Sequence, residues 1–197
     1  ERIEKVRKWR EASTRKNTKD LAKTPTLFAE IRQPSTPYLA LPTVSSENRD
    51  YIPIAYLEAN VIASNQVYII ADATSYHFGI LQSGMHMAWI KYVCGRLKSD
   101  YRYSSTLVYN NFPWPKTVSE EKKRKVEECV EYILTVRTTF PHSSLADLYD
   151  PNTMPADLRV AHQNLDRAVE ACYGKKFKND QERISFLFGR YKKLVET

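Results

Sequence analysis

Between Phe78 and Cys94 almost every position around a helical wheel is apolar: Phe78, Ile80, Leu81, Met85, Met87, Ala88, Trp89, Ile90, Tyr92, Val93 and Cys94. A helix with no polar stripe has no face to give to water, so neighbours must cover it on most sides. Asp72-Ala73-Thr74-Ser75 supplies N-cap residues just ahead of it, and the pattern predicts one helix running to about Leu97. The rest of the chain has to be built around that rod. Gly79 and Gly84 would let a neighbour approach closely. His77 and His86 are too far apart to share a face as a metal-binding pair at four-residue spacing does, and they read as satisfied histidines of the core or its boundary.

The covering material differs on the two sides. Before the rod, strand-like runs appear at Leu27–Ile31, Tyr38–Val44, Ile52–Leu57 and Val67–Ile70, with Pro34, Pro37, Pro42 and Pro53 marking edges or irregular pairing. After it, Thr106–Tyr109 reads as a further strand. Asn110-Asn111-Phe112-Pro113-Trp114-Pro115 then breaks the pattern as an aromatic corner between two domains. It lacks the Pro-Pro pair of the Asn-Pro-Pro-Tyr/Phe loop with which amino-methyltransferases hold a flipped base. From Ser119 the text turns helical. Thr117 and Glu120 suggest a capping box, and Val126, Cys129, Val130, Ile133, Leu134 and Val136 form a stripe at helical spacing. Pro155 opens a second helix that Gly174 closes, and Asp180 is expected to cap a third carrying Ile184, Phe186, Leu187, Phe188, Tyr191 and Leu194. The expected fold is α+β: a mixed sheet packed on a long buried helix, followed by a small all-α bundle. The expected parts are a linker helix over 1–17, a first domain over 18–117 and the bundle over 118–197. The uncapped start at Glu1, with Ile3, Val6 and Trp9 at helical spacing, suggests a chain that continues upstream.

Charge separates the two larger parts. Residues 1–117 hold 16 basic and 10 acidic side chains, whereas residues 118–197 hold 14 and 13. A basic first part suits a polyanion, nucleic acid above all. The run Lys122-Lys123-Arg124-Lys125 lies among glutamates and reads as a solvated face. There is no apolar stretch of the ~18 residues a membrane span needs, and Glu1–Arg10 is too charged for a signal peptide. Cys94, Cys129 and Cys172 are odd in number and widely spaced, as reduced thiols of a cytoplasmic protein would be. No GxGxxG, GxSxG, HExxH or CxxC motif is present, nor a Pro-Asp…Glu-x-Lys nuclease core. Catalysis by these residues alone is not expected.

The densest polar text is Lys98-Ser99-Asp100-Tyr101-Arg102-Tyr103-Ser104-Ser105. In an extended segment Lys98, Asp100 and Arg102 share a face, while Ser99, Tyr101 and Tyr103 turn away. Lysine or arginine donates to guanine O6 and N7, and a carboxylate accepts from cytosine N4, so Lys98 and Asp100 together match one G·C pair. Three alternatives stand beside this. The run could be the solvated edge of a sheet. The chain could be a subunit-docking module of a larger enzyme with incidental basic charge. Tyr101 and Tyr103, if exposed, would suit stacking on RNA.

Longer segments carry a family resemblance. Thr24–Gln33, Val44–Arg49, Tyr51–Ile54, Tyr76–Leu81, Met85–Trp89 and Tyr109–Pro115 closely resemble the target-recognition domain of MmeI-like restriction–modification enzymes and related adenine-N6 DNA methyltransferases. Leu148–Pro151, Met154-Pro155, Ala161-His162, Leu165-Asp166 and Ala168-Val169 resemble that family's terminal helical domain. The resemblance implies a bacterial, cytoplasmic parent that uses S-adenosylmethionine, with Mg²⁺ in relatives that also cleave. Its partners would be double-stranded DNA and an upstream methyltransferase domain of the same chain. It implies base-reading positions within Thr43–Ser46, Asn65–Gln66 and Lys98–Arg102, hence Thr43, Asn65, Gln66, Lys98, Asp100 and Arg102. Arg32, Arg49, Lys91, Arg96 and the Arg15–Lys23 stretch are the candidate phosphate contacts, which position a protein on DNA without specifying sequence.

Overall fold

The computed structural model describes residues 1–196, which form two compact units, one over residues 1–34 and one from Ser35 onward. In the first, α1 (Arg2–Glu11) ends well short of the expected residue 17, and α2 (Lys16–Asp20) runs into a 3₁₀ turn at Leu21–Lys23. Arg10 organises this unit. Its guanidinium donates to the carbonyls of Leu21, Thr24 and Leu27 at 2.8–2.9 Å. Leu27 is thereby committed to a turn, and the strand expected over Leu27–Ile31 does not form.

The second unit contains two three-stranded sheets. In one, β1 (Tyr38–Pro42) lies between β3 (Ala55–Leu57) and β4 (Val67–Ile70). In the other, β6 (Asp100–Arg102) lies between β2 (Val44–Ser45) and β5 (Gly95–Leu97). Pairing is antiparallel throughout, not mixed. Tyr38, Leu39 and Leu41 are fully buried, so the centre of the first sheet is covered on both faces. The expected strand at Thr106–Tyr109 is instead a π-helical turn, Ser105–Tyr109. The Ser104 hydroxyl caps its start, and the Asn111 amide donates to the carbonyls of Thr106 and Leu107. With those carbonyls occupied locally, no strand partner is needed.

Three long helices, α5 (Glu120–Thr138), α7 (Ala156–Cys172) and α8 (Asp180–Val195), follow, with the short α6 (Leu145–Leu148) between the first two. Ser119 caps α5 in place of Thr117, whose φ is +54°, and Asn179 caps α8 in place of Asp180. Buried side chains of these helices belong to the same hydrophobic core as the sheets. On α8 only Ile184 and Leu187 are buried, a narrower stripe than the sequence suggested. Phe112 is buried in the aromatic corner, edge-on to His86, Trp89 and Trp114. The carbonyls of Pro113 and Trp114 accept from Tyr173 and Arg190 of the C-terminal helices.

The apolar rod is interrupted. α3 (Ser75–Leu81) stops and α4 (Gly84–Val93) restarts, because Ser83 is extended and breaks the backbone ladder. Thr74 and His77 close the start of α3 as a capping box. The groups released at the break are satisfied inside the protein. The Ser83 hydroxyl donates to the Ile80 carbonyl, and the Gln82 amide donates to the Ile52 carbonyl at 2.6 Å. Asp166 of α7 accepts from the Gly84 N–H at 2.6 Å and from the Tyr51 hydroxyl at 2.7 Å. Arg137 of α5 donates to the Ile54 carbonyl, to Gln82 Oε1 and to the Tyr149 hydroxyl. That hydroxyl, already accepting, passes its own proton toward His162 Nε2 at 2.7 Å. His86 is also buried and satisfied. Its Nδ1 donates to the Leu81 carbonyl, so Nε2 accepts from Tyr103.

Close packing explains Gly79. A Cβ there would lie 2.4 Å from Val126 Cγ1 and 3.1 Å from Val130 Cγ2, atoms of stiff β-branched residues. Gly79→Ala is expected to lower stability by about 1–3 kcal/mol through overpacking, read from the shift in urea midpoint. A loss of less than ~0.5 kcal/mol would show that α3 and α5 separate more easily than this contact implies.

The buried groups also set the pH response. Burial pulls His86 down to about 4 and His162 down to about 3, from 6.5. Their contribution is present above pH 6.5 and is lost as pH falls toward the folded values. Asp166 runs the other way. Burial raises it to about 6 from 3.8, so its contribution is present below 3.8 and lost as pH rises through 6. Two histidines oppose one carboxyl, and stability is expected to fall as pH drops from 6.5 to 4. Asp166→Asn removes the opposing slope, so its urea midpoints should fall more steeply over that interval than those of the wild type. Parallel slopes would mean that Asp166 titrates as an ordinary carboxylate.

Candidate nucleic-acid interface

The second sheet carries the polar run, and its geometry revises the expected alternation. Lys98 is not on the same strand as Asp100. Leu97 pairs directly with Asp100, leaving Lys98-Ser99 as a two-residue hairpin loop in which Lys98 adopts φ +57°. From Asp100 onward the alternation holds. Tyr101 and Tyr103 are buried, and Arg102 is exposed. The exposed face therefore carries Asp100 and Arg102, with Lys98 at its tip.

Anchoring comes from the inward side chains. The Tyr103 hydroxyl donates to His86 in the core, and the Tyr103 N–H donates to the Thr43 carbonyl at 2.8 Å. Thr43, the single residue between β1 and β2, in turn donates through its N–H and its hydroxyl to the Gln66 carbonyl, both at 2.9 Å. Three sequence-distant segments, 43–46, 65–66 and 98–102, thus meet at one place. Asn65 and Gln66 are exposed there, and the Gln66 amide reaches the Asn65 carbonyl at 3.5 Å. Ser46 differs, since its hydroxyl accepts from the Asn48 N–H inside a turn.

The basic candidates divide by whether they already have a partner. Arg32 of the N-terminal unit is ion-paired with Glu30 at 2.5 Å. Lys91 donates to Asp180 at 2.6 Å, bridging α4 to the start of α8, and Arg49 reaches the Ala146 carbonyl at 3.5 Å. Arg96 is the most engaged. It donates to Glu47 at 3.2 Å and to the Ser99 carbonyl at 2.7 Å, and its guanidinium lies 4.2 Å from the Tyr101 ring centre. Arg96 is therefore a clasp on the hairpin loop, a role the sequence reading did not foresee. No local signal marked it, because the turn at Lys98-Ser99 that it clasps was itself not legible in the sequence. By contrast, the side chains of Lys98, Asp100 and Arg102 make no hydrogen bond or ion pair among the described residues.

Other sites are less promising. Among the described residues no cluster of three or more His, Cys, Asp or Glu side chains could hold a metal ion. A surface groove of about 590 Å³ lies over α5 and α7, lined by Lys125, Glu128, Tyr132, Asn164 and Arg167 among others. No described helix is long and apolar enough to cross a membrane.

Comparison with known proteins matches residues 1–116 to the MmeI target recognition domain and residues 118–197 to the MmeI C-terminal domain. A DNA methyltransferase A of Bacillus subtilis (strain 168) is 46% identical over all 197 residues, which are 22% of that protein. The structure of the Type IIL restriction–modification enzyme MmeI in complex with DNA superposes with a TM-score of 0.89 at 47% identity, over 100% of this chain and 26% of that one. The chain thus spans about a quarter or less of the relatives it matches.

The clasp generates its own expectation. Arg96→Ala should speed amide exchange at Ser99 and Asp100 by about tenfold or more while changing the urea midpoint little, since its ion pair with Glu47 and its bond to the Ser99 carbonyl are exposed. Unchanged exchange, measured by NMR, would show that the loop holds its shape without Arg96.

Proposed function

Because the chain belongs to the MmeI family, as a target recognition domain followed by the family's C-terminal domain, we propose that it reads duplex DNA through the hairpin face. It does so on behalf of an adenine-N6 methyltransferase located elsewhere in the full-length protein, in the bacterial cytoplasm. One observation carries the reading: the side chains of Lys98, Asp100 and Arg102 make no hydrogen bond or ion pair among the described residues, on a hairpin held in place by Arg96 and Tyr103. A two-stranded ribbon enters the major groove, where donors and acceptors on the base edges await such groups. Lys98 pairs with guanine and Asp100 with the cytosine opposite it. Arg102, Thr43, Asn65 and Gln66 lie beside neighbouring base pairs. Arg32, Arg49 and Lys91 could reach phosphates only by exchanging their present partners, so the Arg15–Lys23 stretch is the better phosphate candidate. Burial of Tyr101 and Tyr103 removes the aromatic platform that single-stranded RNA would need.

S-adenosylmethionine does not fit the residues of this chain. The groove over α5 and α7 is lined by charged side chains and helix surface, with no loop to enclose a nucleoside, and no chemical step is assigned to these residues. The methyl donor belongs to the methyltransferase part, as does Mg²⁺ in any relative that cleaves.

Salt separates DNA reading from subunit docking, because released counterions make DNA affinity fall steeply with ionic strength. The sharper test exchanges donor and acceptor. Lys98→Glu with Asp100→Arg is expected to change the specified base from G to C at one position and leave the rest of the site intact, read by sequencing methylated adenines in cells carrying the full-length protein. Either single substitution should weaken recognition by about 1–3 kcal/mol. An active double variant with an unchanged site would remove both residues from the reading surface.

A further inference from the structure

The exposed face of the hairpin is not wholly polar. Residues directly opposite one another on antiparallel strands share a face, so Leu97, across from Asp100, projects with it and with Arg102. Tyr101, Arg96 and Ser45 share the other face, and the stacking of Arg96 on Tyr101 agrees with that division. Leu97 is 49% exposed. Its neighbour two residues back on the same strand face is Gly95, where a Cβ would meet only the Arg102 carbonyl, at 3.7 Å. Space for a side chain exists there and is left empty, so one flank of Leu97 is open. An apolar group thus stands beside a carboxylate and a guanidinium, uncovered, on the surface that carries the unpartnered polar groups.

Resting on the DNA-reading function above, we propose that Leu97 is a specificity-determining residue that packs on the 5-methyl group of a thymine next to the base pair read by Lys98 and Asp100. The major groove displays one apolar group, the thymine methyl, among its donors and acceptors, and a small apolar side chain is its natural partner. A leucine directly opposite Asp100 and adjacent to Lys98 sets an apolar contact beside the donor–acceptor pair.

The test uses the full-length protein and a randomised duplex pool. Binding selection should yield a motif with an A·T pair adjacent to the G·C pair. Replacing that thymine by uracil deletes only the methyl group and should weaken wild-type binding about three- to fivefold, the worth of one buried methyl. Leu97→Ala should bind the thymine and uracil duplexes alike, which separates a direct contact from an effect of the methyl on DNA shape. Equal wild-type affinity for the two duplexes, retained discrimination in Leu97→Ala, or a motif lacking that thymine would overturn the inference while leaving the DNA-reading function in place. If the wild type selects no motif, both fall together.

Discussion

Asp166 and the two donors that converge on it, the Gly84 N–H and the Tyr51 hydroxyl, hold the structure at its weakest point. A buried helix that stops and restarts exposes backbone groups where water cannot reach them, each costly if unpaired. Here the partners come from far along the chain: a carboxylate from α7 for the Gly84 N–H, and for the Gln82 amide the Ile52 carbonyl and the Arg137 guanidinium of α5. A carboxylate buried this deeply is a poor source of net stability. What it supplies is register, since a shift of α7 along α4 would leave the carboxylate and the Gly84 N–H buried without partners.

This interruption shows where sequence reading reached its end. An all-round apolar pattern identifies a buried rod, but the polar residues inside it, Gln82, Ser83 and His86, look like tolerated exceptions when partners on other elements, such as Ile52, Arg137 and Tyr103, cannot be seen. The α+β class, the strand at Val67–Ile70 and the closing Gly174 all rest on local signals and were legible. The strand expected at Thr106–Tyr109 was not, because Asn111 satisfies that backbone from outside the segment. Local propensity also chose plausible caps at Thr117 and Asp180, each within two residues of the one used.

At the interface the balance was similar. Alternation correctly turned Tyr101 and Tyr103 inward and Asp100 and Arg102 outward. It could not reveal that a turn falls at Lys98, nor that Thr43 stitches Gln66 to Tyr103. Charge alone could not separate the cations that build the fold, Arg96 and Lys91, from those left unspent. That distinction depends on which acidic or carbonyl group folding brings near, and it is a property of the tertiary structure.

The two faces of the hairpin have different mutational fates. Tyr101 and Tyr103, which hold it, alternate with Asp100 and Arg102, whose side chains form no hydrogen bond or ion pair among the described residues. A substitution at 98, 100 or 102 therefore leaves packing almost unchanged, and one at 101 or 103 disturbs the core without altering the chemistry displayed. Stability and displayed chemistry are thus set by different residues of the same ribbon. A lineage can drift through many displayed combinations on this ribbon while its fold stays under constant selection.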